Sequence, residues 1–185
     1  MRGPRPEMDW ARLYLPLSLR PDQVVDALGA LATLHGAPRI VLETIGIAGK
    51  VQWWIAAPAP VLRSLGAHFS TYLPGTQVVP SERLGMPPPR HAVKLAIRGS
   101  SARALNIART ETTSLAILGV LAQTGLDERL VLQLVLGDRL RPTSPGIPAK
   151  GTAGAAERRR LQAEKTAMHG FGCTVRTLGI HLGGK

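Results

Sequence analysis

The residues best suited to chemistry are seven cations in the last third of the chain. Arg139, Arg141, Lys150, Arg158, Arg159, Arg160 and Lys165 fall within one segment with few carboxylates between them. Arginine and lysine in that density neutralise phosphates, and such binding is independent of base sequence and sensitive to salt. Arg158, Arg159 and Arg160 are consecutive, so on a helix they point in different directions and cannot form one buried stripe. A solvated helix face beside a loop accounts for the same residues. Trp53 and Trp54 are the second candidate pair. Adjacent residues of a strand point to opposite faces. One indole therefore enters a core, and the other lies on the outer face of a sheet, where it could stack on a base or pack at an interface.

Other chemistry finds no footing. No G-x-x-x-x-G-K-[ST] phosphate loop occurs, and the Gly-Lys pair at Gly49-Lys50 lies in a hairpin pattern rather than between strand and helix. The five histidines, His35, His68, His91, His169 and His181, have neither i, i+4 spacing nor a carboxylate at ligand spacing. Cys173 is the only cysteine, which excludes an internal disulfide and a thiolate-rich zinc site; it reads as a small core residue. Glu43, Glu82, Glu111, Asp127 and Glu128 fall in different predicted elements, and nothing pairs them. Asn106 is the sole asparagine and starts a helix, which leaves an acylphosphatase-like site without its loop. The expectation is a protein without catalytic residues, cofactor or metal.

The whole chain is basic. Its formal charge is +11, from 23 Lys and Arg against 12 Asp and Glu, which favours nucleic acid or an anionic surface as a partner. An Arg-rich coding bias is the alternative source of that charge. Hydrophobic residues make up 44% and aromatics only 4%, so the core must be aliphatic. The polar, Pro-broken start is not a signal peptide, and no apolar run reaches the ~20 residues that span a bilayer. These features predict a cytoplasmic protein, with any membrane association made through partners.

Six elements are predicted in residues 12–80, after a tail over 1–11. A strand over 12–17 carries Leu13, Leu15 and Leu17 on one side. A helix from Pro21 to about His35 follows, with Val24, Val25, Leu28, Leu31 and Ala32 at helical spacing. Strands 39–45 and 50–56 flank a Gly-containing turn, as in a hairpin. A second helix opens at Pro58 and Pro60 with Val61, Leu62, Leu65, Phe69 and Tyr72 as its stripe, and a short strand covers 76–79. The order β-α-β-β-α-β is the split βαβ, or ferredoxin-like, pattern.

Residues 81–91 form a linker stiffened by three consecutive prolines. Residues 92–185 begin the same order again. A strand over 92–98 leads to a helix from about 102 or 106 to 123, with Leu115, Leu118, Leu121 and Ala122 inward, and then to the strand 129–137. A loop and a basic helix over 155–169 form an insertion spanning 138–170, followed by a strand over 171–180. The expected fold class is α+β: tandem ferredoxin-like units, antiparallel sheets with helices on one face, the second unit interrupted and incomplete. A missing last helix and strand would leave an unpaired sheet edge for a partner, or for oligomerisation, to cover.

Glu128-Arg-Leu-Val-Leu-Gln-Leu-Val-Leu-Gly137, with Arg139 and Pro142, then Lys165, Gly170-Phe171 and Val175-Arg176, carries a resemblance. So do Leu15-Pro16, Pro21-Asp-Gln-Val24 and Ile40-Val-Leu-Glu43 in the first half. The chain resembles the N-terminal region of actinobacterial type IV secretion coupling proteins, the VirD4/TraG-like conjugative DNA-transfer ATPases. The resemblance implies an accessory module, a truncated product or stand-alone fragment, beside a RecA-like motor ATPase or other secretion-system proteins. It carries no catalytic residue onto this sequence. Arg20 departs from the Ser or Thr expected before Pro21. A stand-alone nucleic-acid-binding protein of ferredoxin-like fold is the alternative.

Overall fold

The computed structural model describes residues 7–33, 39–83, 85–95, 109–142 and 169–182, with isolated positions between 157 and 167. Within them the chain is α+β: three helices and one open, antiparallel sheet of seven strands. The elements run β1 (Asp9–Tyr14), α1 (Pro21–Thr33), β2 (Ile40–Ile47), β3 (Lys50–Ala57), α2 (Ala59–Tyr72), β4 (Gln77–Pro80), β5 (His91–Leu95), α3 (Thr110–Ala122), β6 (Glu128–Leu140) and β7 (Gly170–His181). The strand order is β4-β1-β3-β2-β6-β7-β5. No helix among the described residues is long and apolar enough to cross a membrane.

Local chemistry accounts for the first helices. Pro21 pre-sets the φ of α1, Asp22 suits the positive end of its dipole, and the Arg20 amide donates to the Gln23 Oε1 at 3.0 Å, half of a capping box. In α2 the stripe Leu62, Leu65 and Phe69 is buried on the sheet. His68 Nε2 bridges to the Ala27 carbonyl of α1 at 2.9 Å. The main core lies between these helices and one sheet face, where Ala11, Leu13, Ile40, Ile55 and Leu136 meet Leu31 and Phe69.

Two halves meet in the middle of the sheet. Ile40–Ile47 of β2 pair antiparallel with Arg129–Leu136 of β6, and Glu43 lies opposite Gln133. The aliphatic run of β6 thereby extends the first sheet rather than starting a second one. A bulge between Leu136 and Arg139 then turns Arg139 to the helix-covered face, opposite Phe171.

Two expected elements are displaced. The first strand is Asp9–Tyr14, so Ala11 and Leu13 face the core, while Leu17 beyond it is fully exposed. Pro16 lacks the N–H that a strand paired on both sides requires, and β1 lies between β3 and β4. In α3 only Leu121 is buried; Leu115 and Ala122, expected inward, are exposed, because the helix touches the sheet mainly through its C-terminal end. The start of that helix at 102 or 106 lies outside the described residues, as does most of the predicted basic helix, of which Glu157, Arg160 and Ala163 are helical.

Gly46 sets how closely α3 docks. Ala48 and Gly49 both have positive φ, a two-residue turn that lets β2 and β3 run to Ile47 and Lys50. The amides of Ala48 and Gly49 donate to the carbonyls of Gly125 and Thr124, just past α3. A Cβ on Gly46 would collide with the Leu121 carbonyl oxygen. Gly46→Val is therefore expected to destabilise the fold by about 1–3 kcal/mol, the range for overpacking a tight site. A lower urea midpoint with unchanged slope is the expected result; an unchanged midpoint would refute the close docking.

Candidate functional site

Two places on the sheet hold unusual chemistry. The first is a transverse row on the face opposite the helices. Register places Val79, Arg12, Trp54, Glu43, Gln133, Arg176 and Lys94 side by side across the seven strands. Glu43 is 1% exposed. Its Oε1 accepts from Gln133 Nε2 at 2.7 Å and from Arg83 Nη2 at 3.1 Å, and its Oε2 lies 3.0 Å from Arg83 Nη2 as an ion pair. The Arg83 guanidinium also sits 4.2 Å from the Trp10 ring centroid, a cation–π contact.

Arg83 comes from the segment predicted as a linker. That segment runs across the open face as a strap. Arg129 Nη1 donates to the Gly85 carbonyl, Met86 packs on Ile45, Trp54, Val131 and Ile180, and the Arg90 amide donates to the Gly179 carbonyl. From β4 to β5 the chain must cross six strand spacings, roughly 29 Å. Ten extended residues reach about 33 Å, so the strap has little slack. Pro87, Pro88 and Pro89 favour that extended form.

Burial pushes the Glu43 carboxyl above its ordinary range, against the Gln133 hydrogen bond and the Arg83 charge, which favour the carboxylate. A carboxyl with that profile in a cleft would suggest acid–base catalysis. Here one cavity, lined by Ile45, Trp54, Arg83 and Met86 among others, is only about 10 Å³, and the open one of about 1070 Å³ that Trp10 and Arg83 border does not have Glu43 in its lining. The first holds at most one water. The cluster is a structural lock between β2, β6 and the strap.

The second place is the β5 edge. Every residue of β5 is exposed, and β7 is its only strand neighbour among the described residues. On the helix-covered side, Leu95, Ile117, Val120, Leu130, Leu132 and Thr177 line an apolar groove of about 340 Å³ between α3 and the edge. Cys173, expected in the core, is exposed, because nothing described covers this side of β7 at that point.

The predicted residues separate. Trp53 packs against the main core. Trp54 lies on the other face but is 4% exposed under the strap, with Arg12 at 5.3 Å from its ring centroid, so it offers no free face to a base. Arg139 buries Nε and Nη2, which have no hydrogen-bond partner among the described residues. Arg141 is exposed just past β6, and Arg160 is paired with Glu157 at 2.9 Å. Lys150, Arg158, Arg159 and Lys165 lie outside the described residues. Sequence reasoning missed Glu43, Arg83 and Gln133 as a group. The available signal was a lone acid inside the apolar strand Ile40-Val-Leu-Glu-Thr-Ile45.

A raised carboxyl pKa has a defined consequence for stability. Between the ordinary glutamate value and the raised one, the folded chain binds more protons at Glu43 than the unfolded chain does, so this group makes stability fall as pH rises through that window. Glu43→Gln removes that component of the slope, and denaturant titrations at several pH values should show it; identical slopes would contradict the burial argument. Arg83→Ala leaves a buried carboxylate short of its cation and is expected to cost ~3 kcal/mol at neutral pH.

Comparison of the chain with protein-family models, with curated proteins and with solved structures finds no match.

Proposed function

We propose that this chain is a non-catalytic assembly module made of two ferredoxin-like units sharing one sheet. The exposed β5 edge of the second unit, in this reading, takes helix and strand cover from a partner protein. The order β4-β1-β3-β2 is that of a split βαβ unit, and β5, β7 and β6 repeat the order of β1, β3 and β2. A two-fold rotation centred between Glu43 and Gln133 relates the registers. It carries Trp54 to Arg176, Arg12 to Lys94, Ala11 to Val93 and Leu13 to Leu95.

The observation that carries the proposal is the burial of those last pairs. Ala11 and Leu13 are 0% and 8% exposed, beneath α2 and beside β4. Val93 and Leu95 are 55% and 51% exposed. An edge with no second strand neighbour among the described residues, next to exposed aliphatic residues, favours strand addition by another protein. The resemblance to conjugative coupling proteins supplies the partner class, a DNA-transfer motor ATPase or another secretion-system protein, and a place beside that motor in the cytoplasm. The carried-over role is support of assembly or substrate docking, without ATP chemistry in this chain.

The net charge of +11 favours a second reading, contact with DNA. A mobility shift at low salt that weakens as salt rises is its expected signature, and no shift at low salt would sink it. For the assembly reading, sedimentation of the chain with a purified actinobacterial conjugative motor ATPase is expected to show a complex. Val93→Glu with Leu95→Glu should weaken it at least tenfold. Absence of a complex with the unsubstituted chain, or an unchanged one with the double variant, would overturn the reading.

A further inference from the structure

Resting on the assembly reading, we infer that the β5 edge takes a partner's helix followed by a short strand, and that this strand sets a carboxylate beside Lys94. The apolar groove and the bare edge adjoin, with Leu95 lining the groove from the edge strand itself. One occupant that fills both must present an apolar helical stripe and then an extended segment. The first half shows the form. There the stripe Leu62, Leu65 and Phe69 of α2 covers Ala11 and Leu13, and β4 follows after a tight turn at Gly75 to pair with the outer side of β1.

Charge selects the chemistry of the strand. Lys94 lies directly opposite Arg176. Like charges in that position repel. Neither His91–Leu95 nor Gly170–His181 contains a carboxylate. Gln133, next in the row, donates its Nε2 to Glu43 and carries no charge of its own. Among the described residues no ion pair relieves the two cations. In the first half, Arg12 instead faces Trp54, with Val79 of β4 on its outer side. The place equivalent to Val79 on an added strand is therefore where an acid would neutralise Lys94 and Arg176. A second copy of this chain fits poorly. Its own β5 would bring another lysine and no acid, and its α2 and β4 are already engaged with its own β1.

The probe is a synthetic peptide of residues 58–80 carrying Val79→Glu, titrated into the full chain by calorimetry. Saturable one-to-one binding is expected, at least tenfold weaker for the peptide with Val79→Lys and for one ending at residue 73. The exposed substitution Lys94→Glu in the full chain should reverse the preference, so that the Val79→Lys peptide binds more tightly than the Val79→Glu peptide. No binding, or a preference that Lys94→Glu leaves unchanged, would overturn the inference. A concentration-dependent dimer that the peptide fails to disperse would overturn it in favour of a second copy. Should the motor ATPase bind through Val93 and Leu95 while excess peptide fails to compete, the helix–strand inference falls and the assembly reading stands.

Discussion

The pairing of β2 with β6 is the interaction on which the rest of this structure depends. It joins two halves that would otherwise each end in an unpaired strand. It also brings Gln133 to Glu43, and so provides one of the two hydrogen bonds that the buried Glu43 Oε1 accepts. A slip of one residue along β6 would turn Gln133 toward the helices, away from Glu43, and turn Leu134 out of the main core. The register is thus specified twice, by apolar side chains on one face and by one polar pair on the other.

The strap completes that specification. Its Arg83 reaches the same carboxylate, so the crossing of the open face and the central pairing stabilise one another. Its length leaves little freedom between β4 and β5, and its prolines reduce the entropy lost on ordering it. The strap also changes the character of the face it crosses. Trp10, Trp54 and Ile45 are covered by Arg83 and Met86 instead of forming an aromatic platform. A sheet face that looks available for base stacking is partly occupied by the chain itself.

The two ends of the sheet differ for a related reason. At the β4 end, helix and strand cover are both present, and the small and aliphatic residues of β1 are buried. At the β5 end, α3 makes its closest approach through Leu121 at the Gly46 hairpin and leaves Leu115, Ile117 and Val120 exposed. A helix apolar on nearly all sides is normally buried on nearly all sides. Its exposure, the bare edge and the Lys94–Arg176 repulsion all concentrate at this end of the molecule.

Periodicity and turn chemistry made most elements legible from the residues alone. Pro21, the alternation around the 46–49 turn, the Leu62–Leu65–Phe69 stripe and the run Leu130-Val-Leu-Gln-Leu-Val-Leu136 all lie in elements of the predicted kind, because each depends on neighbours within a few positions. The first strand was misplaced because alternating leucines continue past Pro16, and local pattern does not reveal which N–H groups the sheet will need. The Glu43–Arg83–Gln133 cluster was illegible for another reason: its members lie 40 and 90 positions apart, and only the strand order brings them together. Tertiary structure likewise decided that Trp54 is covered, that a bulge turns Arg139 to the helix side, and that Val93 and Leu95 are left bare. Burial belongs to the assembled sheet, and identical alternation along a strand is core at one edge and surface at the other.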